Sequence, residues 1–341
     1  MKRDQHGTLG RDGRQRVSSP SSEVGPGEDV VPAGLRGLTK ALESAREEGI
    51  PVALGVPRSM EGVLGGIALT YLAHSDPSST RICDHEALQP ELLERVLLVT
   101  EESEGDLVPL ARRVWQSLGQ HCGSGCTNRI LYACASDDPG MPQVVNRYVR
   151  LSFSLGTNVT SSLAHADVLA VDALARQVSS ECEKTRQFAR FSHLPSGGWF
   201  CSLSPKANTL PLCAQHFSRR MRGDRFCMLD PIHGIAVFHE EGDRSARVAR
   251  LDAGMARQAR EAASDVDTEE RRFQEMWATF YRSMELPGRD ATGRGYDLRA
   301  RFMPKRLWDS LPELAEAPSS PFAGWASKPQ GAVGQQRIGD S

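Results

Sequence analysis

No apolar run in the 341 residues approaches the roughly 20 residues that a bilayer-crossing helix needs, which excludes a transmembrane helix. The N-terminal stretch carries basic residues but no apolar core, so it does not read as a secretory signal. The eight cysteines (Cys83, Cys122, Cys126, Cys134, Cys182, Cys201, Cys213 and Cys227) are scattered through a long chain. Small secreted disulfide scaffolds group theirs, so reduced thiols are expected here. These absences lead to the expectation of a cytoplasmic protein with no membrane association. No internal repeat is visible. His121-Cys122-Gly123-Ser124-Gly125-Cys126 begins like a metal motif, but a structural zinc site needs four ligands and no second close pair follows. Arg129 stands where a radical-SAM cluster loop would need its third cysteine. The expectation is therefore no metal and no cofactor. Gly123-Ser124-Gly125 is not a G-x-S-x-G nucleophile elbow either.

The residues present, 39% hydrophobic and 25% charged, suffice for a core in one or two domains. Residues 1–33 and 318–341 are polar and rich in Gly, Ser and Pro, a composition expected to be disordered. Between them, 34–163 reads as mainly helical and 164–317 as an α+β region, with one domain over 34–317 as the alternative. Helical spacing predicts helices over 35–48, 61–73, 106–118, 128–135, 143–155, 166–186, 210–220 and 273–284. Residues 51–56 and 96–100 read as strands. Two hairpins are expected, 188–194 with 199–203 and 225–230 with 235–239, and 246–251 as a further strand. Helices before, between and after hairpins argue for an α+β fold rather than an alternating parallel sheet.

The chain is organised around Glu181–Met221. From Lys184 to Arg225 there are eight basic residues against the single acidic Asp224, in a chain whose formal net charge is −2. Guanidinium forks match phosphate geometry, so this segment is the expected polyanion site. The candidate contacts are Arg150, Arg186, Arg190, Lys206, Asn208, Arg219 and Arg220, with Lys305 and Arg306 from a second basic cluster near the C-terminus. Against this stands the plainer reading, a solvated surface. Asn208, just before Leu210, also suits a helix cap or a turn. Phe188, Phe191, Trp199, Phe217 and Trp308 either stack on unpaired bases or belong to the core. Glu181, His216 and Asp230 would be acid/base or ligand residues if the fold brought them together, and structural pairs if it did not.

Several blocks in order resemble a bacterial family of unknown activity, described as a probable DNA-metabolism protein. They include Tyr148-Val149-Arg150-Leu151-Ser152-Phe153, Phe188-Ala189-Arg190-Phe191, and Pro205-Lys206-Ala207-Asn208-Thr209-Leu210-Pro211-Leu212 running to His216-Phe217. Asp230 before the second hairpin turn and Phe302-Met303-Pro304-Lys305-Arg306-Leu307-Trp308 complete the set. The resemblance implies a DNA-repair or DNA-modification role beside a radical-SAM protein, DNA as a partner, and kinship with domains fused to uracil-DNA-glycosylase-like proteins. Where the family carries His-Arg-Met-Lys-Gly, this chain has Glu183 to Gln187. Ser204 and Lys206 replace an acidic pair, and the family's Arg-x-Asn-Pro is absent over 289–296. The expected function is an accessory DNA-repair protein. The alternatives are an enzyme acting on DNA through Glu181, His216 and Asp230, or a protein-binding adaptor.

Overall fold

The computed structural model describes residues 31–262, 267–283, 306–307 and 311. The expectations for residues 1–30 and 318–341 lie outside the described residues, as does Lys305. The fold is α+β, as the sequence predicts. It also contains parallel strand pairs that the sequence reading did not assemble.

The N-terminal part begins with α1 (Arg36–Glu48), whose buried face carries Thr39, Leu42 and Ala45. Gly49 ends it at φ 68°, where the backbone turns left-handed and Ile50 N–H returns to Ala45 O. Strand β1 (Val52–Val56) is buried at all five positions. It lies between β2 (Thr80–Asp84) and β3 (Arg95–Leu98), parallel to both. Helix α2 (Met60–Leu72) is capped by Ser59, which accepts the Gly62 N–H at 3.0 Å. Helix α2 lies tight against α3 (Glu101–Ala133), since a Cβ on Gly65 would come within 2.7 Å of the Leu107 Cβ. Helix α3 is broken at Gly123, where φ 81° and ψ 175° are open to glycine. The separate helices read over 106–118 and 128–135 are its two halves. Helices α4 (Met141–Leu155) and α5 (Ala166–Phe188) complete this layer.

Helix α5 ties the molecule together. Val168, Val171 and Leu174 enter the first core beside Leu54, Ile67, Ile130 and Tyr148. Val178 and Cys182 enter a second core with Cys201, Cys213, Phe217, Met228 and Val237. Fully burying one such large apolar side chain stabilises the fold by roughly 1.5–3 kcal/mol. The second core is covered by a five-stranded sheet in the order β4 (Ser192–His193), β5 (Trp199–Ser202), β6 (Phe226–Asp230), β7 (Ile235–His239), β8 (Arg247–Arg250). Helix α6 (Leu210–Arg220) is the crossover that makes β5 and β6 parallel; the other neighbours are antiparallel. Helix α5 runs on to Phe188, so the first arm of the expected hairpin shrinks to two residues. Helices α7 (Ala253–Ala262) and α8 (Thr268–Ser283) follow β8. Among the described residues, no helix is long and apolar enough to cross a membrane.

Candidate functional site

The basic segment divides into spent and unspent cations. At the end of α6, Arg219 and Arg220 are exposed, with Arg222 just beyond, and none of the three guanidinium groups pairs with a described residue. The helix C-terminus itself favours cations there, which accounts for part of their placement. Arg225 pairs with Glu240 at 3.1 Å. Arg190 donates to Gln187 O at 3.0 Å and lines a cleft of about 480 Å³ with Arg220, Trp199, Asp224 and Glu270. Arg186 is ion-paired with Glu183.

Other candidates are committed to the fold. Arg150 lies in the N-terminal layer, away from α6 in its contacts. It donates to Thr70 Oγ1 at 2.8 Å and Asn146 Oδ1 at 3.1 Å, and its guanidinium carbon sits 4.6 Å from the centre of the Tyr71 ring. Through these contacts Arg150 joins α2 to α4. Arg306 is ion-paired with Glu181, so it too has a partner other than phosphate. Lys206 has an exposed side chain, while its backbone N–H donates to Glu181 Oε1 at 2.9 Å.

Phe191, Phe217 and Trp199 pack into or against the second core. Phe191 meets Phe217 and Phe226 edge-on at 5.6 and 5.7 Å, and Phe217 is 1% exposed. Trp199 meets the His193 ring at 5.1 Å and stays half-buried. Trp308 lies outside the described residues.

No hydrogen bond or ion pair among the described residues joins any two of Glu181, His216 and Asp230. Glu181 is buried on α5. Burial pushes its pKa up, but the Lys206 N–H and the Arg306 and Lys184 charges prevail and hold it below the usual value. His216 is exposed on α6, edge-on to Phe217, and burial of its ring with the nearby Arg186 and Arg220 charges lowers its pKa. Asp230 is completely buried and belongs to a different cluster.

That cluster lines a cleft of about 630 Å³ outside the carboxyl end of β1. The turn after β6 builds one side. Asp230 Oδ1 accepts the N–H groups of Ile232 and His233 at 3.0 and 3.2 Å, and its Oδ2 lies 2.5 Å from His233 Nδ1. Gly234, at φ 60°, closes the turn so near Leu251 that a Cβ would fall 2.7 Å from its carbonyl oxygen. The imidazole then reaches Asp137 in the α3–α4 loop, with Nε2 3.0 Å from Oδ1. Burial pushes the His233 pKa down, but the two carboxylates outweigh it and raise it to about 9. The imidazolium is therefore charged at neutral pH.

The loops beneath are joined by backbone. Asn208 N–H donates to Ala135 O at 2.9 Å, and Ser136 bridges Ala207. The Asn208 side-chain oxygen is buried and has no hydrogen-bond partner among the described residues. On the far side, Arg58 follows β1 and donates its Nε to Asp84 Oδ2 at 2.7 Å, while Glu61 stands in the first turn of α2. Arg250 on β8 is exposed at the cleft and has no partner among the described residues. Of these groups, Asn208 and Asp230 were sequence candidates. The missed ones are Arg58, Glu61, Asp84, Asp137, His233 and Arg250. The spacing Asp230-x-x-His233 within a turn was the available signal for one of them.

The thiols of the apparent metal motif point into the core. Cys122 Sγ donates to Ser152 O and Cys126 Sγ to Ser152 Oγ, each at 3.3 Å. Burial pushes the Cys122 thiol up to about 11. Among the described residues, no group of three or more His, Cys, Asp or Glu side chains is arranged to hold a metal ion.

The sequence pattern of a family described as a domain of unknown function (DUF4130) matches residues 139–313, slightly more than half of the chain. The matched part starts at α4 and contains Asn208, His233 and Arg250, whereas Arg58, Glu61 and Asp137 precede it. No curated protein matches. One solved structure, described as a member of the s1p family of ribosomal proteins, DHH domain, is 12% identical to this chain. The comparison covers 66% of this chain and 79% of that one at a TM-score of 0.30, too low to bear on fold or function.

Proposed function

The chain belongs to the family defined by the DUF4130 domain, and from that premise we propose that it is an accessory DNA-repair or DNA-modification protein of the cytoplasm. It binds nucleic acid through phosphate and acts beside a radical-SAM enzyme. The partner comes from the family resemblance of the blocks between Tyr148 and Trp308, whose members sit beside such enzymes and are related to domains in glycosylase-like fusions. The observation that carries the nucleic-acid reading is the exposed group Arg219, Arg220 and Arg222, whose guanidinium charges are not neutralised by any described side chain. Unpaired, exposed arginines close together in the chain favour a polyanion, because each phosphate they neutralise releases condensed counterions. Arg190 and the Lys206 side chain extend the same segment.

The direct test uses the intact chain. Fluorescence anisotropy with a labelled DNA duplex should give binding that weakens linearly in log affinity against log salt. Co-purification with the neighbouring radical-SAM protein, with and without damaged DNA, tests the partner. Partner binding without salt-dependent DNA binding would replace this reading with that of a protein-binding adaptor.

A further inference from the structure

The opening of about 480 Å³ at the end of α6 is a groove walled by β5 on one side and α8 on another. The α8 wall is fastened to β4. Gln274 Nε2 donates to Ser192 Oγ at 2.9 Å and to Glu270 Oε1 at 2.7 Å, and the Asp267 N–H just before α8 donates to His193 O at 3.2 Å. The groove is therefore formed before any ligand arrives, as binding sites commonly are.

Two aromatic rings reach it. Trp199 packs against the second core, yet it is only half-buried and lines the groove. Phe273 on α8 lines it too and is 56% exposed, a large ring left in water among the described residues. The charged side chains of the lining oppose one another, Arg190 and Arg220 against Asp224 and Glu270, so the interior is no anion hole. The surplus positive charge stands outside the lining, on Arg219 and Arg222, which flank Arg220 in the chain and have no partner among the described residues. A ligand that suits both parts joins flat, uncharged rings to repeated negative charge.

A nucleic-acid strand whose bases are out of pairing has that chemistry, whereas a duplex keeps its rings stacked inside. We propose that the protein takes a single strand at this face, with phosphates on the arginines at the end of α6 and one unpaired base in the groove against Trp199 and Phe273. Every base has a flat face that an aromatic side chain can stack on, so the contact tolerates any sequence. Base N–H groups on the pairing edge suit the Asp224 and Glu270 carboxylates. The assignment rests on the nucleic-acid reading for the identity of the polyanion, and adds the form of strand that this surface selects.

Anisotropy titration of the full chain tests this with three labelled probes: an oligothymidylate of about 12 nucleotides, the same sugar-phosphate chain without bases, and a duplex of equal length. The oligothymidylate should bind about tenfold or more tightly than the base-free chain. Phe273→Ala, at an exposed position that leaves folding intact, should weaken oligothymidylate about tenfold and leave the base-free chain and the duplex unchanged. Its slope of log affinity against log salt should match that of the unaltered chain, because stacking releases no condensed counterions. The oligothymidylate should also quench tryptophan emission, and Trp199→Phe should lose the quench while still binding. Equal binding of the strand and the base-free chain would overturn the proposal and leave the phosphate reading in place. So would indifference to Phe273→Ala, an equal effect of it on all three probes, or a quench that is absent or survives Trp199→Phe. Lack of salt-dependent binding to every probe would overturn both readings.

Discussion

His233 lies between two carboxylates, with Nδ1 2.5 Å from Asp230 Oδ2 and Nε2 3.0 Å from Asp137 Oδ1, 96 residues away in sequence. The contact fastens the β6–β7 turn to the α3–α4 loop and so holds one wall of the cleft.

This arrangement has a signed pH consequence. Burial lowers the His233 pKa, but hydrogen bonds and charge from Asp137 and Asp230 raise it to about 9 from 6.5. A raised value contributes stability that is fully present below pH 6.5 and is lost as pH rises through 9. The shift corresponds to roughly 3 kcal/mol. His233→Gln should therefore cost most near about pH 6, and its gap from the unaltered chain should close toward about pH 9. Denaturant unfolding of both chains across that window checks it. A gap that widens with pH would contradict the assignment.

Much of the fold was legible where burial and periodicity agree. Val171, Leu174, Val178, Cys182 and Thr185 share one helical arc in the sequence, and all five are buried on α5. Strand β2 was missed because its Arg81 and Asp84 look like surface residues. In the fold, Arg81 is paired with Glu94 and Asp84 with Arg58, contacts that no local pattern announces. The parallel β5–β6 pair was missed because α6 intervenes, and two turns with strong hairpin chemistry drew the reading toward antiparallel neighbours. The basic segment was visible as charge. Which arginines are free was not, since Arg150 is spent on Thr70, 80 residues away. The cleft was least visible, because Arg58, Asp137, His233 and Arg250 come from four separate segments.

Glu181 is a buried ionic joint. It accepts from the Lys206 N–H and pairs with Arg306 and Lys184. Glu181→Ala should destabilise the chain by about 3 kcal/mol, because it leaves the half-buried Arg306 without its charge partner. For the unaltered chain the lowered pKa means that this stability is present above the ordinary glutamate value of 4.5 and is lost as pH falls through the folded value. Urea midpoints of the two chains, measured from neutral to acid pH, should converge.

Gly123 and Gly119 on α3 make a matched pair. Both have open space where a Cβ would go, but only Gly123 has a positive φ. Gly123→Ala should cost about 1–3 kcal/mol from backbone strain alone. Gly119→Ala should stabilise by up to about 1 kcal/mol. Thermal melts distinguish them. Equal effects would mean that α3 is unbroken at Gly123.

The cysteines should divide by exposure. Cys83 and Cys227 are half-buried, and the other six are buried. Burial pushes Cys134 and Cys201 up to about 12, so their thiolates are scarce at neutral pH. Thiol titration of the native chain should report at most two rapidly reacting groups, and all eight only after unfolding. Rapid native labelling of Cys122 or Cys126 would show that the His121–Cys126 segment is open.

The proposed function turns on the unpaired arginines at the end of α6. Arg219→Ala with Arg220→Ala should leave the melting temperature nearly unchanged, since both side chains are exposed and unpartnered among the described residues. DNA affinity should fall for every sequence tried, because phosphate contacts carry no base information. The decisive measurement is the slope of log affinity against log salt for the intact chain and this double variant. The slope should drop by roughly 0.9 for each B-DNA phosphate contact removed. Unchanged affinity and slope in the double variant, or no salt-dependent binding by the intact chain, would contradict the reading of this surface as the nucleic-acid contact.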